Sequence, residues 1–312
     1  MTAPDHEWTF IHVTDMHIGT PRSYRFQPAW NANWQTARRQ ILDLQPELLL
    51  VGGDMTRDGA THRFELELAR GEFDAMPFPW YAIPGNHEVG NKFRPGDPVS
   101  VQPRYIDNYR SVFGPSAWSF VHRNVQFSAF DAFLAGSGLP EELEMWQWMD
   151  NVERDPGVQY HVWMMHPALF IDRLEEPNWD VETDRNAWYF GVDEPHRSRM
   201  FDTFKRTRAD LVITGHIHCR RRVEVEGIVF QMAPSTAFPQ WGDRWPDGDD
   251  TLGFLEFRVS KDGIQEQFVP LESVLDISGY GPGGNPSESG RDYSVAWEKP
   301  ALDVSDGGIS EV

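Results

Sequence analysis

Cysteine is all but missing from this sequence: one residue, Cys219, in 312. A lone thiol cannot close an intramolecular disulfide, so the core must hold the fold, and a reducing compartment, the cytoplasm, is the expected location. Positive charge is scarce as well. Against 48 acidic residues stand 28 lysines and arginines, a net charge of −20. Such a surface repels phosphate backbones and anionic membranes at long range, which argues against nucleic acid and membrane as partners. No apolar run approaches the roughly 18 residues that a membrane-spanning helix needs. The opening MTAPDHEWTF lacks the basic start and apolar stretch of a secretory signal. No internal repeat is seen.

What is present is a core. The hydrophobic fraction is 40% before the 26 glycines are added, which excludes wholesale disorder. Apolar runs rich in β-branched and aromatic residues at 9–13, 48–51, 80–83, 125–130, 160–165, 211–213 and 228–232 read as buried strands. Helical spacing lies between several of them, at 34–44, 62–73, 141–152 and 197–207. That alternation predicts an α/β fold. Two long connections, 88–120 and 168–195, carry many aromatics and are expected to form ordered lids. From about residue 278 the composition turns to Gly, Pro, Ser and acidic residues, so a domain over 1–277 and a loosely packed tail over 278–312 are expected.

Polar signatures follow five of the strands: Asp15-Met16-His17, Gly52-Gly53-Asp54, Pro84-Gly85-Asn86-His87-Glu88, His166-Pro167, and Gly215-His216-Ile217-His218. Each alone is weak, since a helix cap, a turn or a core histidine would explain it. Together they place carboxylates, an amide and imidazoles at the carboxyl ends of successive strands, where ligands bind in open α/β sheets. Imidazole nitrogen with carboxylate oxygen suits borderline ions such as Mn, Fe, Zn, Ni or Co, and the lack of thiolate argues against a Cys-type site. Cys219 should alternate away from the site if its segment is extended.

The series D-x-H, G-G-D, G-N-H-E, H, G-H-x-H, in this order from Asp15 to His218, resembles the calcineurin-like metallophosphoesterases. The resemblance implies an αββα sandwich of two mixed sheets flanked by helices, and two metal ions. Asp15, His17 and His218 would hold one ion, Asn86, His166 and His216 the other, and Asp54 would bridge them. Paired metals can hold a hydroxide between them and clamp phosphoryl oxygens. His87 would serve the leaving group as a catalytic acid. Many relatives carry an acid three residues after the bridging Asp, followed by Arg and Gly. Here Arg57-Asp58-Gly59 reverses the acid and the arginine, so Arg57 could face the phosphate or cap a helix.

Arg220, Arg221 and Arg222 are read as part of a surface strand in preference to a phosphate site. The loop with Trp241, Arg244 and Trp245 is the better substrate candidate, and Trp179, Trp188 or Tyr189 are expected at the pocket mouth. The expected activity is hydrolysis of a small soluble phosphoester. Size and organisation resemble the bacterial class III cyclic nucleotide phosphodiesterases, which points to a cyclic-nucleotide or glycerophosphodiester substrate. A phosphomonoesterase and a catalytically silent metal-stabilised scaffold are the alternatives.

Overall fold

The apolar runs become strands because each of their two faces finds its own cover. In the computed structural model, which describes residues 7–23 and 26–275, β1 (Trp8–Val13) and β2 (Leu48–Val51) are buried almost throughout. Phe10, Leu48 and Leu50 point into one apolar layer, while Ile11, Val13, Leu49 and Val51 point into another. Two layers, one on each face, are what a sheet packed on both sides requires.

β1 and β2 run parallel with β3 (Trp80–Ala82). Their sheet is completed by β10 (Gly253–Ser260) and β11 (Gly263–Pro270), in the order β11-β10-β1-β2-β3. The second sheet has the order β4-β5-β6-β7-β9-β8. Its strands are β4 (Trp118–His122), β5 (Val125–Ala129), β6 (Tyr160–Met164), β7 (Leu211–Thr214), β8 (Arg221–Val225) and β9 (Ile228–Met232). Each sheet mixes parallel and antiparallel pairs. Between them Phe10 stacks on Phe257 of its own sheet at 4.8 Å and meets Phe127 of the other edge-on at 5.2 Å.

Helices α1 (Pro28–Leu44) and α2 (Arg63–Asp74) cover the outer face of the first sheet through Trp34, Ile41, Ala69 and Phe73. Helices α5 (Pro140–Asn151) and α7 (His196–Arg206) cover the second through Met145, Met149, Met200 and Phe204. The short α3 (Asn86–Val89), α4 (Pro103–Phe113) and α6 (Arg185–Phe190) complete the set. The architecture is the expected αββα sandwich, and no helix among the described residues is long and apolar enough to cross a membrane. The expected boundary at 277 and the tail lie outside the described residues.

The segment 88–120 is not one open connection. It holds α4 and the start of β4, and α4 had readable signals: Pro103 at its first turn, Gly114 just past its end, and Tyr105, Ile106 and Tyr109 buried on one face. Strands β4, β10 and β11 are additions to the expected set, and β8 is the surface strand expected around Arg220, Arg221 and Arg222.

His161 of β6 is fully buried between Ser128 Oγ at 2.9 Å and the Thr207 carbonyl at 3.2 Å. Burial pushes its imidazole down to about 4. The unfolded chain therefore takes up a proton below about pH 6.5 that the folded chain refuses, so stability falls as pH drops toward 4, by about 2 kcal/mol at pH 5 from this residue. Urea unfolding at pH 7 and pH 5 in chelator should show His161→Gln losing less stability over that interval than the parent. Equal losses would place the titration elsewhere.

Candidate metal centre

Both sheets present the carboxyl ends of their parallel strands to the same place, and the chain leaving those ends is unusual. Asp15, His17, Asp54, His216 and His218 all adopt left-handed backbone conformations, with φ between 47° and 69°. Asp and His tolerate this region better than most side chains, yet it costs about 1–3 kcal/mol per residue and persists only where the surroundings enforce it. The enforcement is visible. The amides of Asp15 and His17 donate to the carbonyls of Gly53 and Asp54, both at 3.0 Å, and the amide of His216 donates to the Asp15 carboxylate at 3.0 Å. Left-handed residues flank Met16 and Ile217, which enter apolar clusters while their neighbours face the centre. Cys219 is buried with Ile217 in such a cluster. It lies away from the site as expected, through these turns and not through strand alternation.

The polar side chains meet in two groups. Ligand atoms of Asp15, His17, Asp54 and His218 lie within 4.8 Å of one another, as do those of Asp54, His166 and His216. Asp54 belongs to both. Asn86 joins the second group, one end of its amide 3.0 Å from Asp54 Oδ2 and 3.1 Å from His216 Nδ1. His166 Nε2 is 3.1 Å from Asp54 Oδ2, and His218 Nε2 is 3.1 Å from Asp15 Oδ1. All of these residues are buried.

The far nitrogens are tethered. His166 Nδ1 donates to the Gly52 carbonyl at 2.7 Å and His218 Nδ1 to the Phe238 carbonyl at 2.9 Å. Each bond leaves Nε2 facing inward, the tautomer arrangement typical of metal-ligating histidine. Charge is balanced inside the cluster. Burial raises the Asp15 and Asp54 carboxyls, but the surrounding imidazoles outweigh it and hold both below the usual carboxylate range. Burial lowers His166, but Asp54 and Asp15 outweigh it and raise this imidazole to about 9. Burial and the neighbouring His166 push His216 down to about 3. A buried set of carboxylate oxygens and inward imidazole nitrogens, with one carboxylate common to two groups, suits a dinuclear metal site.

The sequence profile of the calcineurin-like phosphoesterases matches residues 9–220, more than half of the chain. The chain belongs to this family. A search of curated proteins found no match. Among solved structures, the fold is similar to a purple acid phosphatase from yellow lupin, with TM-score 0.62 and 10% identity over 87% of this chain and 53% of the lupin chain. The chain thus spans about half the length of the lupin enzyme. A dimetal phosphatase from Danio rerio has TM-score 0.55 and 12% identity over 86% of this chain and 98% of its own. GAP50, the anchor in the inner membrane complex of Plasmodium, has TM-score 0.55 and 12% identity over 87% of each chain.

The remaining candidates of this calcineurin-like phosphoesterase fall in different places. His87 is buried beside His17, ring centroids 4.5 Å apart, and its amide donates to Asp54 Oδ1 at 3.0 Å. His87 Nδ1 donates to the Arg57 carbonyl at 2.6 Å. A backbone carbonyl therefore orients this imidazole. Asp58 lies instead with His62 and Glu65. The Arg57 guanidinium is fully buried over the Trp30 ring, 4.9 Å from its centroid, and does not cap α2, whose N-cap is His62. Sequence reasoning passed over Glu88. Its carboxylate accepts from Thr56 N at 2.9 Å, Thr56 Oγ1 at 2.7 Å and Gly85 N at 2.8 Å, clasping the Asp54 turn to the Asn86 turn.

Trp241 and Arg244 line an open groove of about 640 Å³, and Gln240 borders both this groove and the small cavity between the metal-site residues. Arg244 is paired with Asp172 at 2.9 Å and Asp184 at 3.5 Å. Tyr189 lines the central cavity. Trp188 instead covers Lys92, and Trp179 stands near Arg244. Arg220 pairs with Asp249 and Arg221 with Asp247, in keeping with a surface strand.

Gly53 shows how tightly the centre is built. It has φ of +100°, and a Cβ there would stand 2.6 Å from His166 Nδ1. Gly53→Ala is expected to cost about 1–2 kcal/mol for the backbone alone and to displace His166. Metal analysis after dialysis should show fewer ions bound per chain than in the parent. Full metal content in this variant would contradict the reading.

Proposed function

We propose that this protein is a dinuclear metal-dependent phosphoester hydrolase, and that its substrate is a small phosphodiester. The observation that carries the reading is Asp54, whose carboxylate is shared by the two donor groups. Asp15, His17, Asp54 and His218 would hold one ion, and Asp54, Asn86, His166 and His216 the other. When bound, such a pair supplies Lewis acidity toward phosphoryl oxygens and activation of water. The residues of the chain orient the rest. The Arg57 carbonyl keeps the proton of His87 on Nδ1, so His87 exchanges protons at Nε2, the end available to a departing alkoxide.

The diester preference rests on the groove beyond Gln240, which gives the second substituent room that a monoester does not need. Its wall carries Asp184, Asp243 and Asp250, while Arg244 is already neutralised. A neutral or cationic alcohol suits that wall better than a second phosphate. The purple acid and dimetal phosphatases of similar fold favour a monoesterase as the second reading. The likeness to an anchor protein keeps a silent scaffold in view, and the complete donor set with His87 argues against it.

Protein reconstituted with Mn, Fe, Zn, Ni or Co should cleave bis-nitrophenyl phosphate faster than the monoester. The reverse preference would establish the monoesterase, and no turnover with any metal would leave the scaffold. Asp54→Ala should lose metal and activity together. His87→Ala should keep its metals and lose about 10²- to 10⁴-fold on esters with poor leaving groups, with much smaller losses on nitrophenyl esters. Equal losses on both classes would remove the acid role.

A further inference from the structure

An amide has two ends of opposite character, and only one of them can bind a cation. The end of Asn86 that faces the cluster meets Asp54 Oδ2 at 3.0 Å and His216 Nδ1 at 3.1 Å. Left to those two neighbours, Asn86 would turn its NH2 group inward and donate to both. Its outward end meets Tyr189 Oη at 2.8 Å and Asn91 Oδ1 at 3.2 Å. The Tyr189 hydroxyl donates to Asn91 Oδ1 at 3.0 Å, which leaves its oxygen to accept from the Asn86 amide. Tyr189 and Asn91 thus present two acceptors to Asn86, which calls for NH2 on that side and oxygen toward the cluster. Rotating the amide would instead turn Asn86 Oδ1 toward Tyr189 Oη at 2.8 Å and Asn91 Oδ1 at 3.2 Å, an arrangement that requires the Tyr189 hydroxyl to leave Asn91 and the Asn91 amide to turn as well.

We propose that Tyr189 and Asn91 are positioning residues that hold the Asn86 oxygen inward, and so set the metal affinity of the Asn86, His166 and His216 half of the centre. The inference rests on the ligand assignment proposed above and adds what makes Asn86 a ligand. Both residues are almost wholly buried, at 3% and 4% exposure, so water does not compete for these bonds. They come from the two segments expected to be lids. Lys92, next to Asn91, locks the segments together by donating to the carbonyls of Trp188 and Gly191 on either side of Tyr189, at 2.5 and 2.9 Å, and by pairing with Asp193 at 2.9 Å.

The test is titration of metal-free protein with Co²⁺, followed by visible absorption and calorimetry. The parent should bind two equivalents. Tyr189→Phe keeps the ring against His216, 4.9 Å away, and removes the hydroxyl. One equivalent should then weaken by about 10- to 100-fold while the other is unchanged. Asn91→Asp, which keeps an acceptor facing Asn86 Nδ2, should stay within about threefold of the parent. The decisive comparison uses Asn86→Asp, whose carboxylate presents oxygen whichever way it turns. In that background Tyr189→Phe should change affinity by less than about threefold. Equal weakening with and without Asn86→Asp would show that Tyr189 acts through packing and would overturn the proposal, as would unchanged affinity in Tyr189→Phe. A parent that binds fewer than two equivalents would overturn the ligand assignment itself, and the inference with it.

Discussion

The buried carboxylate of Asp54 ties the turns of one sheet to those of the other. Asp54 leaves the end of β2 in a left-handed turn, accepts the His87 amide from the turn after β3, and lies 3.1 Å from His166 at the end of β6. A buried carboxylate is costly unless hydrogen bonds and counter-charges surround it. Meeting that need draws the turns after several strands toward one point. The convergence follows from Asp54 as much as it serves chemistry.

The same need explains the strained backbone. Regular strand geometry would send Asp15 with His17, and His216 with His218, to one face of a sheet, whereas both pairs lie past the ends of β1 and β7 and aim at a centre beyond the strand edge. Left-handed turns send Met16 and Ile217 into apolar clusters and both polar flanks into the centre. The cost is carried by the rest of the sandwich, where two apolar layers and the aromatic contact between Phe10 and Phe127 hold the sheets in register. Strain concentrated where function is proposed, within a regular surrounding, is the expected arrangement for a preorganised site.

The two long connections act inward more than outward. Lys92 ties them together, Tyr189 and Asn91 reach the Asn86 amide, and Phe190 packs against His216 at 4.6 Å. Trp179 and Trp188 remain at the periphery. The groove proposed for an organic substituent is walled mainly by the loop after β9, with Asp184 and Asn186 of the second connection beside it and Trp241 against Phe190.

Sequence alone determined the α/β class, the strands β1, β2, β3, β5, β6, β7 and β9, and the polar motifs at five strand ends. These depend on local signals, namely apolar runs and the turn residues that follow them. The strands that escaped reading, such as β4 and β11 with their alternating exposure, are edge strands whose polar residues dilute the apolar run. Only the tertiary structure decided which atoms surround each motif. That a backbone carbonyl at Arg57 orients His87, that Arg57 itself is buried over Trp30, and that Tyr189 reaches Asn86 are contacts between distant segments or to the main chain. The physical reason is that a hydrogen bond depends on position and direction in space, and neither a carbonyl shared by every residue nor a partner about a hundred positions away leaves a periodic mark in the sequence.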